Sequence, residues 1–440
     1  MRFKKILLIN VYYQESGYGE KLNFPPIGLG YISEYLHKEN IQHEIIDTGT
    51  GSSFEDVHDR IQYWKPDLVG FSLNSTCFPK SFTLIENVKK QFPDVKIVVG
   101  GPHVSTEGVK CLGDNIEIDY GVIKEGEIPL AYLCNGVSLE NIPGLIWRTD
   151  SGEVIANNLQ MFEIEDLPFP RYNSFDLSSY YTDSISIITS RGCPFLCTFC
   201  QQSSLLGKKW RGRTPQSVVD EIEYWYCQGY SSIHILDDNF AFDKERLIHI
   251  SGLITQKEMK DLDISLVGGV RISYVNRETL LAIKRMGVRY ISFGVESGSD
   301  KILKLIRKGC TVKQAEKAIK MAVDLGFSVR LFFIIGMPLE TMEDVSKSFE
   351  LALRFNVDEV RFFNLMPYEG TGIMDWINEN DATLLYSYAE YMSDFKKFKQ
   401  IPVFDSPGGM SIEEKAKALR MSKEIINTVE ERRAEHSQRI

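Results

Sequence analysis

Residues 184–200 read SISIITSRGCPFLCTFC. The first seven alternate small polar and apolar side chains, the period-two pattern of a strand. The strand runs straight into a glycine and three cysteines, Cys193, Cys197 and Cys200, spaced four and three residues apart. Each chemistry open to cysteines asks for something different. Structural zinc needs four ligands, normally as two paired knuckles, and the next histidine along the chain is His234, inside a strand-like segment. A redox dithiol needs only Cys197 and Cys200 and leaves Cys193 without a task. Three thiolates fit a 4Fe–4S cluster with one iron left open. The other five cysteines (Cys77, Cys111, Cys134, Cys227 and Cys310) are scattered and read as packing or surface thiols. Eight cysteines in 440 residues do not make a disulfide scaffold.

Downstream of the loop the alternation continues. A helix from Thr214, strand SIHILDD, a helix from Asp243, strand ISLVGGV, a helix from Arg277 and strand YISFGVES follow. Helices around 312–325, strand SVRLFFIIG, a helix from Thr341 and strand EVRFFNLMP complete six strand–helix steps. That predicts a partial (β/α)6 barrel over 183–372, with the cysteine loop at the carboxyl end of its first strand, where such folds place their chemistry. A helical C-terminal region over 373–440 is expected to end in an amphipathic helix. Its capping box is Ser411–Glu414, and its buried positions Leu419, Ile426 and Val429.

Upstream, residues 1–140 alternate strands and helices of ten to fifteen residues, which predicts an α/β, Rossmann-like doubly wound parallel sheet. KKILLIN, HEIID, PDLVGFS, KIVVGG and IDYGVI are its strands, IDYGVI the last. Ligands of such sheets sit beyond the carboxyl ends of the strands. The loops there are small, polar and glycine-rich, so backbone can approach a bulky ligand: Asp47, Thr48 and Gly49; Asn74, Ser75 and Thr76; Gly100, Gly101, Pro102 and His103; Glu125, Gly126 and Glu127. Residues 141–182 read as a hairpin turning at Asp150–Gly152, then a proline-containing linker over 165–181.

The net charge of −10 argues against a protein that grips nucleic acid by its phosphates. The opening MRFKKILLINVYY lacks a small-residue cleavage site and is too short to span a bilayer, and no other stretch approaches eighteen apolar residues. These features lead to the expectation of a cytoplasmic protein without a membrane span.

The spacing C-x3-C-x2-C after a first barrel strand resembles the radical S-adenosylmethionine (SAM) superfamily. The resemblance implies that Cys193, Cys197 and Cys200 bind a 4Fe–4S cluster whose open iron takes SAM, and that cleavage of SAM yields a 5′-deoxyadenosyl radical. It implies further SAM contacts at Phe199, Asp238 (in HILDDNFAFD, with Asp237 and Asn239), Arg271, Gly294, Glu296 and Gly336. In that reading Gly294 lets adenine approach, Glu296 lies near the ribose or methionine end, and Arg271 faces the methionine carboxylate. The doubly wound domain with FPPIGLGYISEYL, IIDTG, PDLVGFS and IVVGGPHVS resembles that of the cobalamin-binding subfamily, and the resemblance makes its carboxyl-end loops cobalamin contacts. Members that replace the lower cobalt ligand with a protein histidine carry Asp-x-His-x-x-Gly. Here the loop is DTGTG, and His103 is not expected to ligate cobalt.

The activity so implied transfers a methyl group from methylcobalamin to an unactivated carbon after hydrogen abstraction by the 5′-deoxyadenosyl radical. The substrate is a small molecule or peptide, and the electron comes from an external flavodoxin- or ferredoxin-type reductant. A radical rearrangement, cyclisation or ring contraction without methyl transfer is the enzymatic alternative. A non-catalytic iron–sulfur or cobalamin sensor is the alternative from another class.

Overall fold

The structure is a computed structural model that describes residues 2–12, 24–180 and 183–437. Met1 and Tyr13 of the opening stretch, Tyr181 of the expected linker and residues 438–440 of the tail lie outside them. The chain forms two compact units: residues 1–182 with 204–206 and 392–396, and the rest of 183–440.

The first unit is built on a seven-stranded sheet: β1 (Lys5–Asn10), β2 (Gln42–Asp47), β3 (Leu68–Ser72), β4 (Lys96–Gly100), β5 (Tyr120–Val122), β6 (Leu145–Arg148) and β7 (Val154–Ala156), in the order β2-β1-β3-β4-β5-β6-β7. The first five are parallel. Helices α1 (Ile27–Lys38), α2 (Phe54–Trp64), α3 (Phe78–Gln91), α4 (Pro102–Glu107), α5 (Val109–Gly113) and α6 (Glu127–Asn135) connect them. Strand parity sends side chains to opposite faces. Leu7, Ile9, Val69 and Phe71 pack with Val57, Ile61, Leu84 and Ile85 of α2 and α3. Ile6, Leu8, Leu68 and Val98 pack with Leu29, Leu36, Leu130 and Leu133 of α1 and α6. Two apolar faces per strand are what a doubly wound sheet requires. Ser53 starts α2 through a reciprocal capping box with Asp56, a contact that contributes about 1 kcal/mol.

One expectation needs correction here. IDYGVI is not the last strand, because the hairpin adds β6 and β7 antiparallel to β5. The segment 165–180 packs against the first unit. Arg171 N–H donates to Glu34 (3.1 Å), Ser174 and His37 share a hydrogen bond (2.9 Å), and Tyr180 Oη donates to Asp47 (2.9 Å). A Cβ on Gly30 would lie 2.5 Å from the Tyr172 ring, so that glycine is what lets the segment lie on α1.

The second unit holds six parallel strands: β8 (Ser184–Ile187), β11 (Ser232–Ile235) and β12 (Asp263–Leu266), then β13 (Tyr290–Glu296), β14 (Ser328–Ile335) and β15 (Glu359–Asn364). Val270 N–H donates to Ser292 O (2.9 Å) between the two sets. A short antiparallel pair, β9 (Ser190–Arg191) and β10 (Arg211–Gly212), brackets the cysteine loop. Helices α7 (Pro215–Cys227), α8 (Lys244–Gln256), α9 (Arg277–Arg285), α10 (Asp300–Leu305), α11 (Val312–Asp324) and α12 (Met342–Arg354) alternate with the strands. One strand parity (Ile233, Ile235, Ile264, Phe293, Leu331, Phe333, Val360) is buried, while on the other His234, Ser265 and Phe332 are half-buried and Phe363 is exposed.

The C-terminal region is not wholly helical. After α13 (Gly372–Glu379) a two-residue ribbon, β16 (Thr383–Leu384) with β17 (Phe404–Asp405), precedes the long α14 (Ile412–Ser437). Leu419 and Val429 are buried as expected, whereas Ile426 is half-buried.

Candidate cluster and cofactor sites

The cysteine loop is held at both ends by the second unit. Gly192 has φ +88°, and a Cβ there would sit 2.4 Å from Lys209 O. No other residue fits that turn. Cys193 N–H donates to Gly207 O (3.2 Å), Thr198 N–H to Ile306 O (3.0 Å) and Ile373 N–H to Thr198 O (2.9 Å). Beneath the loop, Asp237 accepts from Thr189 N–H (2.6 Å), Thr189 Oγ1 (2.6 Å) and Ser190 Oγ (2.5 Å). Arg246 donates to Thr189 O (2.8 Å), and Arg213 pairs with the fully buried Glu221. A buried hydrogen-bond network of this kind holds the stem of the loop in place.

All three thiols are half-buried and none is in a disulfide. Burial raises the pKa of Cys193 and pushes that of Cys200 up to about 11. Iron must therefore displace thiol protons as it binds. Among the described residues no three His, Cys, Asp or Glu side chains converge on a single-ion site. A cubane does not ask this of them, because each cysteine ligates a different iron. The donor set and its fixed backbone fit such a cluster.

The residues expected around SAM separate into open and engaged groups. Asp238 takes the Gly192 N–H, yet its Oδ2 is buried with no hydrogen-bond partner, and burial together with Asp237 raises its pKa to about 6. Asn239 Nδ2 is likewise buried and unpartnered. Orphaned polar atoms of this kind point to a ligand that completes them. Asp237 serves the loop stem instead.

Arg271 lies against the loop, with Nη1 3.5 Å from Cys197 Sγ and the guanidinium 3.6 Å from the centre of the Phe195 ring. Glu296 is not free, because its carboxylate pairs with Lys308 Nζ at 2.6 Å, both groups buried. It has φ +68°, beside a bulge at Gly294. A Cβ on Gly294 would lie 2.5 Å from Glu296 Oε1 and 3.1 Å from Lys308 Nζ. The bare backbone expected to admit adenine thus makes room for the ion pair. Phe199 is half-buried, 5.8 Å from Lys308 Nζ. Gly336 has φ +98°, and its N–H is taken by Glu340 (2.7 Å), whose buried carboxyl is pushed up to about 8.

Lys308, Phe195 and Glu340 were missed by sequence reading. The available signals were an Arg-Lys-Gly step after α10, an aromatic residue inside the cysteine triad, and a glutamate four residues after a strand-ending glycine.

In the first unit, register aligns the carboxyl ends: Asn10 faces Asp47 and Ser72, and Ser72 faces Gly100. The expected loops are therefore neighbours at one end of the sheet. Asp47 accepts from Asn10, Gly49 and Tyr180, and Thr48 bonds Tyr12 through both its donor and its acceptor. Asn74 accepts from Thr76. Gly101 has φ +98° and could not carry a Cβ, which would lie 2.8 Å from Leu73 O. Pro102 opens α4, Glu125 and Glu127 flank Gly126 at the start of α6, and both glutamates are buried.

His103 stacks on Phe78 (4.4 Å between centres, 8° between planes), with Nδ1 3.4 Å from Ser75 Oγ. Burial drops its pKa to about 4. A histidine depressed below its usual 6.5 contributes stability that is present above pH 6.5 and lost as pH falls towards 4. Wild-type protein is expected to lose roughly 2–3 kcal/mol more than His103→Gln between pH 7.5 and 4.5. Thermal melts of the full chain at the two pH values check this, and equal losses would refute it.

Two family models match the chain: the B12 binding domain over 21–133 and the Radical SAM superfamily over 187–352. An uncharacterized methyltransferase of Pyrococcus horikoshii is 31% identical over 377 residues, covering 83% of this chain and 81% of the relative. The chain belongs to the cobalamin-binding radical SAM enzymes. Its cofactors are a 4Fe–4S cluster, SAM and cobalamin. An anaerobic magnesium-protoporphyrin IX monomethyl ester cyclase of Rubrivivax gelatinosus is 26% identical, covering 92% of this chain and 74% of the relative. The radical SAM methyltransferase TsrM of Kitasatospora setae, solved with cobalamin and a 4Fe–4S cluster, shares the fold: TM-score 0.77, 19% identity, 95% of this chain and 90% of that one. Among the described residues no helix is long and apolar enough to cross a membrane.

Proposed function

We propose that this radical SAM enzyme is a C-methyltransferase acting on an unactivated carbon of a small molecule or peptide, in the cytoplasm, with its electron from a flavodoxin- or ferredoxin-type protein. When bound, the cluster and SAM supply a hydrogen-abstracting alkyl radical, and cobalamin supplies the methyl group. Cys193, Cys197 and Cys200 hold the cluster on the backbone fixed by Gly192, Thr198 and Ile373. Asp238 Oδ2 is an acceptor for a cationic or hydroxyl donor of SAM, and Arg271, beside Cys197, is a cation for its carboxylate. Glu296, through Lys308, shapes the wall beside Phe199. In the first unit the backbone at Gly49, Thr76, Gly101 and Gly126 lines the cobalamin side, where most side-chain oxygens are already bonded within the protein. His103, stacked between aromatic rings and Ser75, stays with the protein core and off cobalt.

The observation that carries this reading is the cysteine loop, pinned at the mouth of β8 beside the unpartnered Asp238 Oδ2. The similarity to a methyltransferase over most of both chains favours methyl transfer. The similarity to a cyclase keeps radical cyclisation as the second reading. Anaerobically reconstituted protein given SAM labelled in its methyl group separates the two. Label in the cobalamin fraction is expected; 5′-deoxyadenosine formed with no label on cobalamin would favour cyclisation.

A further inference from the structure

Arg271 has more restraint than a ligand clamp needs. Its guanidinium stacks on Phe195 at 3.6 Å, and that ring meets Tyr274 edge-on at 5.9 Å. Nη2 donates to Lys308 O, Nε to Ser273 Oγ (3.2 Å) and Nη1 to Cys197 Sγ (3.5 Å). Lys308 is fixed in turn by Glu296. The fork is thus aimed at one of the three thiol sulfurs by three partners, before any ligand arrives. Arginine stays charged at every working pH and presents its donors in a rigid plane, so the sulfur receives a permanent charge-assisted N–H···S contact. Hydrogen bonds to ligating sulfurs are one of the levers that set iron–sulfur potentials.

We propose that Arg271 is a positioning residue that raises the reduction potential of the cluster. By bonding the Cys197 sulfur it favours the form that has gained one electron and carries more negative charge. The inference rests on the reading that Cys197 ligates the cluster, and it adds an effect that operates without SAM.

The test is a redox titration of reconstituted full-length protein without SAM, with dithionite as electron donor and the reduced cluster read by electron paramagnetic resonance. Arg271→Met should shift the midpoint to more negative potential, with the ratio of reduced to oxidised cluster at the wild-type midpoint about tenfold lower, which is about 59 mV for one electron. Arg271→Lys keeps the charge but cannot span Lys308 O and the sulfur together, so it should fall between the two. An unmoved midpoint in an Arg271→Met protein that still carries four irons would overturn the inference and leave the cluster reading intact. A wild-type protein that takes up no iron would overturn the cluster reading instead. If Arg271→Met retains no iron, Arg271→Gln is titrated under the same criterion.

Discussion

Alanine at Cys193, Cys197 or Cys200 is expected to strip the iron from anaerobically reconstituted protein and abolish reductive cleavage of SAM. Wild-type protein should carry about four irons per chain, the number in one cubane. The effect should be near-total at each position, because a cluster with one iron open for SAM has only three protein ligands to lose. Cys310 is the informative control. It lies near enough for Cys197 to perturb it electrostatically, and burial raises its thiol pKa. Cys310→Ala should keep its iron and its activity. Iron content and 5′-deoxyadenosine yield, measured side by side on the four variants, decide the matter. Full cleavage activity in any of the three loop variants would remove that residue from the site.

Much of the scaffold is legible in the sequence because both sheets bury at least one strand face, and burial writes periodicity into the chain. Ile233, Ile235, Leu331 and Phe333 announce their strands, and Ser53, Thr214, Asp243 and Thr341 announce the helices they cap. The hairpin's attachment to β5 was not legible. A short antiparallel edge pair has the same local pattern whether or not it joins a larger sheet. The contacts of the linker were not legible for a related reason, since prolines mark irregular backbone but say nothing about the packing of Tyr172 and Tyr180. At the site, the cysteine spacing is local and readable. Partnerships across long separations are not. Glu296 looks like a strand-end carboxylate in search of a ligand until Lys308, twelve residues later, comes back beside it.

That pairing changes what Glu296→Gln should do. With a free carboxylate facing SAM, the loss would be about 1.5–3 kcal/mol of SAM affinity with the melting temperature nearly intact. In the structure the substitution leaves the Lys308 ammonium buried without its counter-charge. Breaking a buried pair from one side costs about 3–5 kcal/mol, and for a unit of this size that lowers the melting temperature by roughly 10 °C. Burial alone would lower the Lys308 pKa, but Glu296 more than offsets it and holds the pKa above the usual lysine value. A raised lysine contributes stability that is full below its unfolded pKa and lost as pH rises through the folded one. The penalty of the variant should therefore be undiminished at neutral pH and shrink only in alkali. The double variant Glu296→Gln/Lys308→Met should recover part of the loss, since it no longer buries a lone charge. Melting temperature, iron content and SAM affinity measured on the single and double variants give the answer. A ten- to hundred-fold loss of SAM affinity with an unchanged melting temperature would show that Glu296 serves the ligand and that its contact with Lys308 contributes little.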